Sequence, residues 1–215
     1  MVNCLINQQI SKSNILQAFH LSDTDIISIF PYGSRVYGTN SEKSDYDFII
    51  ISNKSVKEFA LSSNDNKINV HLYSVSDFQE QLNNHKISAM ECFFLPKDKL
   101  LKSSNLFKFK LNKNLLRSVI SEKASHSWVK AKKKLEVEKD KDVYIAKKSL
   151  FHSLRIIDFG TQIAKDGKII DYSSSNNIWD EIKDDGIDDW DFYKEKYQDI
   201  FNSRMTEFRK LAPKL

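Results

Sequence analysis

Two predicted buried strands and the polar segment between them constrain the fold of this chain more than any other stretch. Residues 25–30 and 47–51 are rich in Ile and Phe and are predicted to be strands. The segment that connects them begins with PYGSRVYG and contains two of the five glycines of the sequence, Gly33 and Gly38. A strand that breaks at Gly-Ser, forms a short helical turn and returns as a strand predicts a functional site rather than a packing device.

Two carboxylates stand at the start of the second predicted strand. Asp45 and Asp47 are separated by one residue, so on a strand both side chains leave the same face. Carboxylates this close repel each other unless a cation or a proton separates them. With oxygen ligands only, the expected cation is Mg²⁺ or Mn²⁺. The backbone N–H groups of Gly33 and Ser34, together with the Ser34 hydroxyl, are expected to cradle a phosphate.

This arrangement resembles the signature of the DNA polymerase β-like nucleotidyltransferase superfamily. The residues that carry the resemblance are Gly33, Ser34, Gly38, Ser44, Asp45 and Asp47. The resemblance implies an α/β (α+β) fold, a mixed sheet with flanking helices, followed by a helical C-terminal half. It implies transfer of a nucleoside monophosphate from an NTP, with Asp45 and Asp47 as catalytic metal ligands. The residues expected at the nucleotide are Gly33, Ser34, Arg35 and Ser44. An ordinary turn before an edge strand with two solvated aspartates is the alternative.

The next predicted strand, residues 68–73, departs from the superfamily pattern. Members usually carry a third carboxylate here, beside the Asp-x-Asp pair. The polar face of this strand holds Asn69, His71 and Tyr73 and has no acid. His71 is the nearest match to the expected position, and Asn69 is the second. Three roles stay open for His71: a general base for the acceptor hydroxyl, a ligand for a softer metal, or a bystander.

The second half of the chain has the apolar spacing of long helices. The expected helices span residues 115–135, 143–165, 176–182 and 189–211. Gly167, just past the second of them, is a typical helix terminator. We therefore predict a nucleotidyltransferase catalytic domain over residues 1–105 and a helical domain over residues 106–215.

Charged residues in predicted helices suggest further roles. One face of a predicted helix carries Lys148, His152 and Arg155. Two interpretations stay open: this row contacts the triphosphate, or it is a solvated basic face. Residues 147–155 also resemble the C-terminal half of RNA-repair-associated polymerase β-like nucleotidyltransferases. Glu91, among apolar neighbours, either pairs with a basic residue or emerges at a rim, because burying an unpaired carboxylate is costly.

The charge distribution suggests a class of acceptor. Residues 108–155 contain 14 Lys and Arg against five Asp and Glu, whereas residues 171–199 contain three Lys against ten Asp and Glu. A basic face suits a polyanion, so an RNA 3′ end is the favoured acceptor. Two alternatives stay open. One is nucleotidylation of a protein or small molecule, as in antitoxin-like or drug-modifying members; the other is a weakened fold that binds nucleotide or RNA without turnover.

Composition excludes several other classes. The 215 residues, 40% of them hydrophobic, suit one domain or one domain with a helical appendage. No run approaches membrane-spanning length, and residues 1–4 lack a basic, apolar signal pattern. Two cysteines, Cys4 and Cys92, are too few for a disulfide framework or a metal cluster. We therefore expect no membrane association and a reducing cytoplasm.

Overall fold

A computed structural model describes residues 10–54, 59–63 and 67–214. Its strands are β1 (Ile26–Tyr32), β2 (Tyr46–Ser52), β3 (Phe59–Ser62) and β4 (Ile68–Ser74). Its α-helices are α1 (Lys12–Ala18), α2 (Ser34–Tyr37), α3 (Val75–Asn83), α4 (Ile87–Phe93), α5 (Lys113–Glu136), α6 (Val143–Asp166), α7 (Asn176–Ile182) and α8 (Trp190–Leu211). Cys4 lies outside the described residues, and Cys92 is a buried free thiol.

The strands form one mixed sheet in the order β1-β2-β4-β3. β2 pairs antiparallel with β1 and parallel with β4, and β3 pairs antiparallel with β4. Asp47 of β2 therefore has Tyr32 of β1 on one side and Asn69 of β4 on the other. The mixed sheet confirms the predicted fold class. It places the polar ends of β1 and β2 side by side.

Apolar side chains cover both faces of this sheet. On one face, Ile15 of α1 packs in a buried cluster with sheet residues such as Ile29 and Ile50. On the other, Phe78 of α3 stacks on Phe30 with 5.4 Å between ring centroids. Because β2 is covered on both faces, it reads in the sequence as a continuous apolar run. The predicted strands at residues 25–30, 47–51 and 68–73 are confirmed within two residues at each end.

Contacts divide the chain into two compact units. The α/β unit comprises the residues up to 36, 40–80 and 95–107, and the helical unit comprises residues 37–39, 81–94 and those from 108 onward. The predicted domain boundary after residue 105 stays a prediction. The unit division runs close to it but also assigns two earlier segments to the helical unit.

The helical unit is built on α5, α6 and α8, and α6 packs against the other two. Gly160 of α6 allows this close packing, since a Cβ there would lie 2.8 Å from Ile120 and 3.1 Å from Phe208. α6 ends at Gly167, whose left-handed φ of 73° and N–H bond to Ile163 close the last turn. The helical C-terminal half is thereby confirmed. Among the described residues, no helix is both long and apolar enough to cross a membrane.

Candidate functional site

The turn between β1 and α2 lies directly against a carboxylate. Gly33, the one residue between these elements, has φ of 81°, a conformation that L side chains rarely adopt. A Cβ at this position would collide with Oδ2 of Asp47 and lie 3.2 Å from its Cγ. Glycine is therefore required twice, by the backbone conformation and by the approach of Asp47. The Gly33–Ser34 turn and the Asp47 carboxylate are therefore in direct contact.

Arg35 holds the segment that carries the first carboxylate. Its Nε donates to the backbone oxygen of Asp45 at 3.0 Å, and its Nη2 donates to that of Ser44 at 2.5 Å. The guanidinium also lies 3.7 Å above the ring of Tyr46. Ser44 in turn accepts the N–H of Ser41 at its Oγ, at 2.9 Å. These contacts position the backbone around Asp45, whereas the expected nucleotide contacts of Arg35 and Ser44 stay predictions.

Asp45 and Asp47 converge on one amide group. Nδ2 of Asn69 donates to Oδ2 of Asp45 and to Oδ1 of Asp47, the latter at 3.2 Å. Oδ1 of Asn69 accepts the hydroxyl of Ser62 at 2.7 Å. Because a single nitrogen reaches both carboxylates, their oxygens face one small volume. A donor in this volume offsets the repulsion that two neighbouring carboxylates would otherwise have.

Asn69, and not His71, lies beside the two carboxylates. In the parallel register, Asp47 pairs with Asn69 and Ile49 pairs with His71, about 7 Å further along the strand. The His71 side chain is exposed, and no described contact joins it to either carboxylate. From the sequence, His71 was the nearest match to the position of the third carboxylate and Asn69 the second. The catalytic role of His71 stays a prediction, but Asn69 is the residue beside the two carboxylates. The observed register, in which Tyr46 pairs with Ile68, decides which of the two residues lies beside Asp47, and the sequence alone does not give that register.

The side chains at this place fit a hard divalent cation. Two carboxylates and one carboxamide are oxygen donors of the kind that Mg²⁺ and Mn²⁺ prefer. A half-turn of the Asn69 amide would present its Oδ1 to the ion and its Nδ2 to the Ser62 hydroxyl, which can accept. Within the described ranges, no cluster of three or more His, Cys, Asp or Glu side chains could hold a metal. A cation here would therefore be held by two carboxylates.

The predicted basic row on α6 is not a uniform solvated face. Lys148 is exposed, with its Nζ 5.3 Å from the centre of the Tyr144 ring. Arg155, by contrast, is 3% exposed and lies 3.4 Å above the ring of Tyr37. Its Nη2 lies 2.7 Å from Nδ1 of the half-buried His152. The alternative of a solvated face therefore fits Lys148 and fails for Arg155.

His152 is surrounded by positive charge. Burial, followed by the charges of Arg155, Lys123, Lys130 and Lys148, holds its pKa well below the usual value. The imidazole is therefore neutral, and its Nδ1 is free of a proton and accepts from Arg155. Lys148 and Arg155 supply the positive charge of this row.

The helical unit also contains a buried polar cluster around Glu91, whose pairing with a basic residue was one of the two alternatives that the sequence left open. The Tyr37 hydroxyl donates to Oε2 of Glu91 at 2.6 Å, and Nη2 of Arg155 lies 3.9 Å from Oε1 of Glu91. Nδ2 of Asn176 donates to the backbone oxygen of Tyr37 at 2.7 Å, and the Tyr172 hydroxyl donates to that of Glu91 at 2.6 Å. Of the two alternatives for Glu91, burial with a basic partner is the observed one. Tyr37 follows Ser34 by three residues, so the cluster includes the end of α2.

Comparison with known proteins agrees with this geometry. Residues 13–112 match the family model described as the nucleotidyltransferase domain. Among solved structures, a nucleotidyltransferase-like protein from Exiguobacterium sibiricum 255-15 aligns over 94% of this chain and 73% of its own, at 12% identity and a TM-score of 0.33. That score is too low to support a structural relationship. A search of curated protein sequences gives no match. The matched segment contains the turn, both carboxylates and Asn69, and residues 13–112 of the chain form a nucleotidyltransferase domain.

Proposed function

We propose that the protein transfers a nucleoside monophosphate from an NTP to the 3′ hydroxyl of RNA, without a template and with a divalent cation. The observation that carries this proposal is the convergence of Asp45 and Asp47 on one amide nitrogen, directly beside the Gly33 turn. Nucleotidyl transfer needs hydrogen-bond donors for the phosphates close to a pair of carboxylates, and this arrangement supplies both.

The residues of the α/β unit divide the work of the reaction. The amides of Gly33 and Ser34, with the Ser34 hydroxyl, bind the phosphates of the NTP. Asp45 and Asp47 would hold Mg²⁺ or Mn²⁺, and the ion would supply positive charge at the phosphates and the attacking hydroxyl. Arg35 keeps Asp45 in place through the backbone contacts described above. Catalysis by these residues is positioning and charge stabilisation.

The reaction itself exchanges one phosphoester bond for another. The acceptor oxygen forms a bond to the α-phosphorus in line with the leaving group, and the bond between that phosphorus and the pyrophosphate oxygen breaks. The proton of the acceptor hydroxyl passes to a base, for which His71 is the candidate as an exposed imidazole on β4. Asn69 is a positioning residue, since it orients both carboxylates.

The roles at the nucleotide that the sequence predicts for Lys148, His152 and Arg155 of the helical unit stay predictions. Of the three, Lys148 has an exposed ammonium group, whereas the Arg155 guanidinium is buried between Tyr37 and Glu91. The choice of RNA rests on the excess of positive charge in residues 108–155. A reducing cytoplasm is the proposed location, on the basis of the two cysteines in the sequence.

The proposal is tested by following a label on the α-phosphorus. The protein is incubated with each labelled NTP in turn, MgCl₂ or MnCl₂, and total cellular RNA, with a parallel reaction in EDTA. We expect the label in RNA, at its 3′ end, and none in the EDTA reaction. Label on a protein or a small molecule would contradict the RNA acceptor, and NTP binding without any transfer would contradict turnover.

A further inference from the structure

Two adjoining cavities lie where α5 begins and α8 ends, entirely within the helical unit. Their volumes are about 740 and 650 Å³. Asn112 and Leu115 line both, so the two cavities share part of their walls. We call the two cavities together the α5–α8 groove.

The α5–α8 groove is lined by positive charge and by no negative charge among the described residues. Its cationic side chains are Lys110, Lys113, Arg117, Arg209 and Lys214. Neutral hydrogen-bonding residues, among them Asn114 and Ser118, fill the positions between them. A groove that combines several cations with neutral donors is suited to a chain of phosphate groups and sugar hydroxyls.

None of these five cations has an ion pair with a carboxylate within residues 10–54, 59–63 and 67–214, whereas several other basic residues of the helical unit do. Elsewhere, Lys147 pairs with Asp185 at 2.6 Å and Lys141 with Asp188 at 2.8 Å. Lys134 likewise pairs with Asp140 at 2.7 Å. The acidic residues of the unit therefore neutralise basic residues away from the groove, and its own charge is left for a ligand.

Backbone contacts make the floor of the groove a fixed surface. The side chain of Asn112 caps α5 by accepting the N–H of Leu115 at 3.1 Å, and its own N–H donates to Nε2 of the buried His85 at 2.9 Å. Nη1 of Arg117 donates to the backbone oxygens of Arg209 and Ala212, at 2.7 and 2.9 Å, which joins the end of α8 to the start of α5. The first turn of α5 has no acidic residue. Its partial positive charge therefore adds to that of the lysines.

We propose that the α5–α8 groove binds the sugar–phosphate backbone of single-stranded RNA. A single phosphate would use the cations of one cavity, whereas the cations here extend over two cavities that share a wall. Cations distributed over two adjoining cavities suit several successive phosphates of one chain. The inference deepens the proposed function and rests on it in naming RNA as the polyanion.

The test compares two triple variants that change the net charge equally. The groove variant carries K110Q, K113Q and K214Q, three exposed lysines that line the groove. The control variant carries K165Q, K168Q and K194Q, three lysines that are also exposed and lie outside the lining. Fluorescence anisotropy with a labelled single-stranded RNA of mixed sequence, without NTP, gives the Kd over a series of salt concentrations. Thermal melting of both variants establishes that each is folded.

We expect the groove variant to bind RNA roughly 100-fold more weakly at about 0.1 M salt, since about two fewer counterions are released per complex. The slope of log K against log salt should fall in magnitude by about 2. The control variant should keep the slope of the natural protein. Equal weakening in both variants would overturn the inference, as would displacement of the RNA by poly-glutamate at equal charge concentration, which would indicate an acidic protein as the ligand.

A replacement of the three lysines by arginine keeps the charge and should keep RNA binding. Failure of the inference is distinguishable from failure of the proposed function, because the first is a binding result without NTP and the second is a transfer result. RNA bound in the α5–α8 groove with no label transferred would contradict the function alone. Label transferred by the groove variant with unchanged RNA affinity would contradict the groove alone.

Discussion

At the residue scale, the requirement for glycine at position 33 has two separable causes. Gly33→Ala introduces a Cβ at φ of 81° and forces it onto the Asp47 carboxylate. Gly186→Ala is a matched control, since its φ of 71° imposes the same backbone strain while its Cβ would meet nothing within 4 Å. We expect the control to lose about 1 kcal/mol of stability and Gly33→Ala about 1 kcal/mol more. Transfer activity of Gly33→Ala should fall roughly 100-fold, because Asp47 is displaced.

Denaturant unfolding and turnover measurements on the two variants check this expectation. If both lost equal stability and Gly33→Ala kept its activity, the close approach of Gly33 and Asp47 would have no role in the site.

Asn69 offers a second test, because replacement by Asp gives the strand the third carboxylate usual in the superfamily. Without a divalent cation, Asn69→Asp should lower the melting temperature, since three carboxylates then face one volume and the donor to two of them is lost. Mn²⁺ or Mg²⁺ should raise the melting temperature of this variant more than that of the natural protein. His71→Asp, an exposed change on the same face of β4, is the control.

An equal response of the two variants to Mn²⁺ would mean that Asn69 has no special place among the ion's ligands. The sequence predicted the carboxylate pair but could not place Asn69 beside it. Which residue of β4 lies next to Asp47 depends on the parallel register of β2 and β4, which are neighbours in the sheet but are separated along the chain by β3. Local spacing carries no information about such a register.

At the scale of elements, the cluster around Glu91 joins the end of α2 to α4 and α6. Tyr37→Phe removes the 2.6 Å hydrogen bond to a buried carboxylate and keeps the aromatic ring. A hydrogen bond to a charged group contributes about 1.5–3 kcal/mol, so we expect a loss of that size. Tyr144→Phe is the control, because Tyr144 is 55% exposed, and should change stability by less than about 0.5 kcal/mol. Losses of the same size in both variants, measured by denaturant unfolding, would contradict the account of the cluster.

His152 on α6 should make stability depend on pH. Burial and the neighbouring cations lower its pKa in the folded protein, so the unfolded chain binds more protons below pH about 6.5. Stability from this group is therefore complete above that pH and falls as the solution is acidified. His152→Gln keeps an acceptor for Arg155 and removes the titration. The melting temperature of the variant should fall less than that of the natural protein between about pH 7.5 and 5.5; parallel curves would contradict the assignment.

Most elements could be predicted from the sequence, and the exceptions have physical reasons. The long helices α5, α6 and α8 follow from apolar residues at three- and four-residue intervals. β3 was missed, since its four residues are too few to show an alternation and it is defined by pairing with β4. The burial of Arg155 was also missed. Its partners Tyr37 and Glu91 lie in distant parts of the chain, and helical spacing alone gives Lys148 and Arg155 the same expectation.

At the scale of the whole molecule, the basic region, residues 108–155, and the acidic region, residues 171–199, differ in how their charges are paired. Part of the acidic region pairs inside the helical unit, where Asp185 accepts both Lys147 and the Tyr193 hydroxyl, at 2.6 and 2.8 Å. The cations of the α5–α8 groove have no such partner among the described residues. A net charge of +4 therefore understates the positive charge that a polyanion would meet.

The central claim is that Asp45 and Asp47 together carry nucleotidyl transfer. The most direct measurement is transfer of labelled nucleotide to RNA by Asp45→Asn and Asp47→Asn, beside Asp98→Asn as an exposed control from the same unit. We predict that both site variants lose transfer activity by about 1,000-fold or more, whereas the control keeps its turnover. Neither site variant should melt at a lower temperature than the natural protein, because the repulsion between the carboxylates is relieved. Near-normal turnover in either site variant would contradict the central claim.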